Sequence, residues 1–247
     1  MTERLRIGAV IPARDEEDNI GAVVRALRAL RTRAGDALID DIVVCDNGSA
    51  DATGQRARDA GARVVNQQKP GYGIACLTAI AALADVDVVL FVDGDQSFDT
   101  SQASRLHDAI AQGADLAIGS RVLGRVERGA LSAPQIAGNR VAGILIRLLW
   151  KARVTDLGPF RAIRSTALAA LDMRDTAYGW TVEMQIKAIQ QNMRVVEVPV
   201  DTRRRRHGKS KVGGTVRGVA GASIGITGMI LKLALRSLRA RHLRSNA

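Results

Sequence analysis

Val88-Val89-Leu90-Phe91-Val92-Asp93-Gly94-Asp95-Gln96-Ser97 sets the architecture of this 247-residue chain. Five apolar residues run without a break into two carboxylates separated by one glycine. A continuous apolar run of this length, bounded by turn residues, reads as a strand buried on both faces, as in a parallel sheet. Open α/β sheets bind their ligands at the carboxyl edge of such strands. Two carboxylates held there repel each other unless a cation lies between them. Hard oxygen donors of this kind suit Mg²⁺ or Mn²⁺ shared with a substrate phosphate. An Asp-Gly-Asp turn capping the next helix is the competing reading of the tripeptide, so the choice rests on the rest of the chain.

Working outward, residues 7–11 form a short apolar strand ended by Pro12, and 18–31 carry apolar residues at helical spacing behind Asp18 or Asn19 as N-cap. A strand at 41–45, the loop Asp46-Asn47-Gly48-Ser49, a helix at 51–60 and a strand at 62–65 follow. Pro70-Gly71-Tyr72-Gly73 opens a helix over 74–84, and the Val88 strand leads to a helix at 101–112 and a strand at 115–118. This β-then-α repetition predicts a parallel sheet wrapped by helices, with the loops at 12–17, 46–49 and 93–97 converging on one edge. The second half is less regular. It reads as an amphipathic helix at 135–151, a turn-rich segment at 155–163 ending in an antiparallel strand, a helix at 181–192 and a strand at 194–200.

Aromatic residues are only 3% of the chain, so the core must be built from Ala, Val, Ile and Leu. Cys45 and Cys76 have no metal-binding spacing and read as reduced core thiols of a cytosolic protein. No signal peptide is expected at the charged N-terminus, and no uninterrupted apolar run is long enough to predict a transmembrane helix. The net charge of +11 is concentrated at one end: residues 202–247 hold twelve Lys or Arg and no Asp or Glu. A neutral body with a cationic tail points to an anionic partner, whether membrane headgroups, a phosphate-bearing substrate or nucleic acid. No aromatic residues interleave with the four arginines at 203–206 and no groove-reading motif is present, which argues against nucleic acid.

Several motifs recur in an order that resembles the family-2 glycosyltransferases of GT-A fold, with the polyprenyl-phosphate sugar synthases, such as dolichyl-phosphate mannosyltransferases, the most similar group. Val10-Ile11-Pro12-Ala13-Arg14-Asp15-Glu16-Glu17-Asp18-Asn19-Ile20 is similar to the family's P-A-x-N-E-x-x-N-I opening. Val44-Cys45-Asp46-Asn47-Gly48-Ser49-Ala50-Asp51-Ala52-Thr53 resembles V-D-D-G-S-x-D-x-T, with Asn47 in place of the second acid. Lys69-Pro70-Gly71-Tyr72-Gly73 matches the Gly-rich turn, Gly119-Ser120-Arg121 the G-S-R motif and Gly158-Pro159-Phe160-Arg161 the S-G-F-R loop. Tyr178-Gly179-Trp180-Thr181-Val182-Glu183-Met184, then Glu197-Val198-Pro199-Val200, match the helix and E-V-P strand that close the site, and His207-Gly208-Lys209-Ser210-Lys211 matches H-G-x-S-K.

The resemblance implies an α/β GT-A (Rossmann-like) domain over residues 1–213, followed by a basic amphipathic helix over 214–247. It implies inverting transfer from a nucleotide-diphosphate sugar, assisted by Mg²⁺ or Mn²⁺. Pro12, Ala13, Arg14, Glu16 and Asp46 then hold the base and ribose, and Lys69, Gly73, Gly94, Lys209 and Lys211 complete the donor site. Asp95 is the metal ligand, with Asp93 coordinating directly or contacting the ribose. Arg121 and Arg161 act near phosphate, and Arg140, Arg161, Arg204 and His207 position an acceptor phosphate. If the acceptor is a hydroxyl instead, a base is required and Glu183 is the candidate; a helix carboxylate paired with Lys187 is its alternative reading.

The C-terminal helix has a broad apolar face bordered by Lys232, Arg236 and Arg239. That pattern suits a helix lying in the membrane interface; packing on the body or on another subunit is the alternative. The expected function is sugar transfer to a polyprenyl phosphate by a cytoplasmic enzyme peripheral to the inner membrane face, with a homo-oligomer possible. A soluble hydroxyl acceptor, or a non-catalytic nucleotide-sugar-binding scaffold, is the rival reading.

Overall fold

The structure, a computed structural model, describes residues 4–208 and 216–245. In chain order the elements are β1 (Ile7–Ala13), α1 (Glu17–Ala29), β2 (Asp41–Asp46), α2 (Thr53–Asp59), β3 (Arg63–Asn66), α3 (Tyr72–Ala82) and β4 (Val88–Phe91). A 3-10 turn at Thr100–Gln102 precedes α4 (Ala103–Ala111), then β5 (Leu116–Ser120), α5 (Ala133–Trp150), β6 (Arg161–Arg164), α6 (Ser165–Leu171), α7 (Trp180–Gln190), β7 (Val195–Pro199) and α8 (Val216–Ser245).

The strands described form one sheet in the order β3-β2-β1-β4-β6-β5-β7, with β4 at its centre. β3, β2, β1 and β4 run parallel, as do β5 and β7, and only β6 is antiparallel to its neighbours β4 and β5. The apolar run of β4 explains its central place. Val88, Leu90 and Val92 enter one core with Ile20, Val24 and Leu27 of α1 and Leu106 and Ile110 of α4. Val89 and Phe91 enter the opposite core with Cys76 and Ala79 of α3, Leu168 and Leu171 of α6, and Trp180 and Met184 of α7. Successive side chains of a strand point to opposite faces, so a strand covered on both sides must be apolar at every position.

The expected mostly parallel sheet is present, with three local differences. The residue that caps α1 is Glu16, not Asp18 or Asn19, and no side chain of its own caps the helix. The seven-residue α6 follows β6 without a loop, so no turn residues announced it. Finally, Gly218–Arg239 within α8 is apolar and long enough to cross a bilayer by length and composition, with mean hydropathy 1.6. Counting only uninterrupted apolar residues missed it, because Ser223, Thr227 and Lys232 punctuate the stretch.

In the fold α8 lies on the body. Its Met229, Ile230 and Leu233 pack with Ala142 and Ile146 of α5 and Val182 and Ile186 of α7, and Gln190 Nε2 donates to Ser237 Oγ at 2.7 Å. The outer face keeps Ile224, Leu231, Leu235 and Leu238 exposed, and α5 does the same with Val141, Ile144 and Leu148. The domain boundary expected at 213/214 lies outside the described residues.

Candidate active site

Parallel register brings three loops to one edge. Pro12 pairs with Cys45, Ala13 with Asp46, and Val10 with Phe91, so the chain after β4 emerges beside the ends of β1 and β2. Asp15 adopts a positive φ of 50° and turns the chain so that its amide donates to Ser49 Oγ at 3.0 Å, while its Oδ1 accepts from Ala50 N at 2.9 Å. Asp46 Oδ1 accepts from Ser49 N at 3.0 Å. Gly54 lies directly against Asp46: an added Cβ would meet Oδ2 at 2.7 Å.

Asn47, which replaces an acid in the motif, is buried and works as a clamp. Its Nδ2 donates to the carbonyls of Gln67 and Lys69 at 2.8 and 2.7 Å, and its Oδ1 accepts from Gly71 N at 2.8 Å. An amide can do both; a carboxylate cannot donate. Gly73 is held by the segment that crosses it. Its amide donates to Ala177 O at 3.2 Å, and a Cβ there would lie 2.1 Å from Asp175 O. The glycine is required by the close crossing of residues 175–177 over the start of α3. Lys69 and Arg14 are exposed at the rim.

At the centre stand Asp93, Asp95 and Glu16. Burial and the neighbouring charge of Asp95 push the Asp93 carboxyl up to about 7, although Tyr72 Oη donates to its Oδ1 at 3.2 Å. Burial also raises the Glu16 carboxyl, against the lowering influence of Asn19 and Arg205. Asn19 Nδ2 donates to Glu16 Oε2 at 2.9 Å. The Arg205 guanidinium reaches in from the far side, donating to Glu16 Oε1 and, at 3.3 Å, to Asp95 Oδ2. Gly94 passes beneath Ile20, where a Cβ would meet Cδ1 at 3.2 Å.

This donor set suits a hard divalent cation. Among the described residues no three His, Cys, Asp or Glu side chains gather around one metal position. Mg²⁺ and its analogues characteristically take one or two carboxylates and fill the remaining positions with water and substrate phosphate. Asp95, on the open edge with Asp93 beside it, offers that incomplete shell.

Arg121 is placed by a relay of two acids, the buried Asp156 and the half-buried Glu197. Its Nε and Nη2 form a fork on Asp156 at 2.7 and 2.6 Å, and its amide donates to Asp156 Oδ2 at 2.8 Å. Asp156 is 1% exposed, and its own backbone amide, with that of Thr155, is held by the Glu197 carboxylate at 3.1 and 2.9 Å. Burial alone would lower the Arg121 pKa; Asp156 outweighs it, with Asp93 contributing, and the net shift is upward. Arg121 is therefore a fixed cation whose field reaches Asp93.

Other expected site residues occupy different positions. Arg161 is 0% exposed and donates to the carbonyls of Gly158 (3.0 Å from Nε), Thr181 (2.9 Å) and Leu157 (3.1 Å). Burial lowers its pKa to about 10. Its donors are committed to backbone, so it braces the 157–161 loop and does not present itself to an acceptor phosphate. Glu183 is 3% exposed, takes the amides of Arg174 and Asp175 at 3.1 and 2.7 Å, and pairs with Lys187 at 2.8 Å. This is the paired helix carboxylate, an anchor for the 172–175 turn, and the expectation of a base is corrected.

Arg140, Arg204 and His207 are exposed, and Arg204 offers its amide, not its guanidinium, to Glu127. Lys209 and Lys211 lie outside the described residues. The residue that enters the site is Arg205. In this run Arg203 pairs with Asp99 at 2.6 Å and Arg205 with Glu16 and Asp95, whereas Arg204 and Arg206 face solvent. Only Arg205 of the four is drawn into the body, and four identical residues in a row hide which one it is.

Comparison with known proteins agrees with this geometry. The family model described as Glycosyl transferase family 2 matches residues 9–171. An uncharacterized glycosyltransferase of Mycobacterium tuberculosis is 35% identical over 214 residues, covering 86% of this chain and 92% of that protein. The undecaprenyl-phosphate mannosyltransferase of Micrococcus luteus is 30% identical over 254 residues, covering 96% of this chain and 99% of that protein. In fold, the glucosyl-3-phosphoglycerate synthase from Mycobacterium tuberculosis, solved with Mn²⁺, UDP-glucose and phosphoglyceric acid, superposes with a TM-score of 0.76. That match has 22% identity and covers 93% of this chain and 80% of the other.

Proposed function

Because this chain belongs to glycosyl transferase family 2, we propose that it transfers a sugar, with inversion, from a nucleotide-diphosphate sugar to a polyprenyl phosphate. One observation carries the reading: the Asp93-Gly94-Asp95 edge sits in a chain aligned over nearly its whole length with an undecaprenyl-phosphate mannosyltransferase. When bound at Asp95, with Asp93 beside it, a divalent cation supplies positive charge against the departing diphosphate. Asp46, Glu16 and the 12–14 backbone hold the nucleoside. Arg121, braced by Asp156, adds a fixed positive charge facing the same centre.

The acceptor chemistry suits this set of residues. A phosphate monoester has its second pKa near about 6, so its oxygen is already an anion and attacks the anomeric carbon without a base. The diphosphate leaves from the opposite face. A hydroxyl acceptor would need a base in reach, and Glu183 has its oxygens committed to Arg174, Asp175 and Lys187.

The exposed stripes Val141-Ile144-Leu148 on α5 and Ile224-Leu231-Leu235-Leu238 on α8, with exposed Arg147, Lys232 and Arg236 on the same helices and Lys151 just past the end of α5, support peripheral contact with an anionic bilayer. The protein should float with vesicles containing phosphatidylglycerol, and a Leu148→Asp, Leu235→Asp double variant should float several-fold less. Equal flotation of the two removes these helices from the contact.

The function is tested with a panel of radiolabelled nucleoside-diphosphate hexoses and undecaprenyl phosphate. Label extracted into butanol is the expected result. Label transferred only to water-soluble acceptors would refute the lipid acceptor.

A further inference from the structure

We propose that Arg205 holds the cation position of the donor site until the donor arrives, and so couples cation binding to diphosphate binding. The inference rests on the cation site read above at Asp95. Arg205 is not a loosely placed surface residue: its side chain is 14% exposed and that of Glu16 is 8% exposed. Its guanidinium bridges Glu16 Oε1 and Asp95 Oδ2, spanning the residues after β1 and β4. The backbone that carries it is fastened at several points. Arg203 N donates to Ser97 O at 2.8 Å, Arg205 Nε donates to His207 O at 2.7 Å, and Asn19 Nδ2 donates to the same carbonyl at 3.2 Å.

A carboxylate engaged by a guanidinium can also ligate a divalent ion only if two cations sit within a few ångströms of each other, and like charges that close repel strongly. Arg205 must therefore leave Asp95, or share it at a penalty, when the metal binds. Withdrawn with no new partner, the guanidinium gives up charge-assisted bonds to partly buried carboxylates, which is unfavourable. The donor's diphosphate removes that penalty, because guanidinium pairs readily with two phosphate oxygens at once. Metal and diphosphate thus each lower the cost of binding the other, a reciprocal coupling of the kind that links two sites by about 5–150-fold. Arg121 cannot play this part, since Asp156 occupies its fork.

The test is Mn²⁺ binding to the full chain, read from the electron paramagnetic resonance signal of free Mn²⁺. In the absence of nucleotide, Arg205→Gln should bind Mn²⁺ at least about tenfold more tightly than the wild type. Uridine or guanosine diphosphate should then strengthen Mn²⁺ binding less in the variant than in the wild type. Arg205→Lys keeps the charge but replaces the planar fork with a compact ammonium that spans the two carboxylates less well, and should fall between them. Arg205→Gln binding Mn²⁺ no better than the wild type, with an unchanged melting temperature, overturns the proposal. If the glutamine variant melts below the assay temperature, the lysine variant carries the test, and wild-type affinity in it overturns the proposal. Mn²⁺ binding by none of the proteins, with or without nucleotide, overturns the cation reading and this inference with it. Equal binding by all overturns this inference alone.

Discussion

Two groups of buried and half-buried acids in this molecule face opposite electrostatic situations. Asp156, Glu183 and Glu197 are each matched by fixed donors. Asp156 has the fork of Arg121, Glu183 has two amides and Lys187, and Glu197 has the amides of Thr155 and Asp156. Their charge is consumed in holding loops. Asp93, Asp95 and Glu16 instead face one another, served by a phenol, an amide side chain and one long arginine arriving from a distant segment. The first group is finished by the fold, and the second is left short of positive charge. Acids left short of charge on an open sheet edge are where a cationic ligand gains most.

The largest effect that would break this contrast is on transfer. Asp95→Ala should lower turnover by about 10²–10³-fold or more, with a smaller change in melting temperature than Glu183→Gln gives, because the carboxylate holds only the Ser97 amide and a share of the Arg205 guanidinium that Glu16 also binds. Retained transfer would return Asp93-Gly94-Asp95 to a simple turn. Glu183→Gln should do the reverse. Losing one partner of a buried pair costs about 3–5 kcal/mol, which at this size lowers the melting temperature by roughly 6–20 °C. Below that temperature, turnover should stay within about threefold of wild type. A collapse in turnover with an unchanged melting curve would restore Glu183 as a base.

Asp93 gives a smaller effect whose sign is diagnostic. Its folded pKa of about 7 lies above the ordinary 3.8, so the folded state binds the extra proton between those values. Its contribution to stability is present below the lower value and is lost as pH rises through the upper one. Metal-free Asp93→Asn should therefore melt a few degrees above wild type at pH 8, and the gap should close near pH 4. A gap that widens on acidification would mean that Asp93 is already paired in the fold.

How much of this was legible in the sequence follows from the same contrast. The sheet was readable because burial on both faces demands the unbroken apolar run at 88–92, and the edge was readable because each loop follows a strand. Asp46 lies at that edge beside Ala13, and the charge of Arg121 acts on Asp93. Motif position did not separate Arg161 and Glu183 from the reacting centre, because a motif fixes where a residue lies along the chain and not which way it points. Arg161 turned inward to three carbonyls, and Glu183 to two amides. Asn47 stands in the sequence only as a replacement for the motif's second acid, and its role as a clamp emerges once the Gln67, Lys69 and Gly71 backbones are seen around it. Arg205 was hidden by its identical neighbours.

The central claim is that the acids at the end of β4, left short of positive charge, serve sugar transfer to a lipid phosphate. The most direct test incubates wild type and Asp95→Ala with a radiolabelled nucleoside-diphosphate hexose, Mn²⁺ and undecaprenyl phosphate, then partitions the products into butanol. The account predicts organic-phase label from the wild type that depends on undecaprenyl phosphate and falls to background in the variant. Organic-phase label of equal size from both proteins would contradict it.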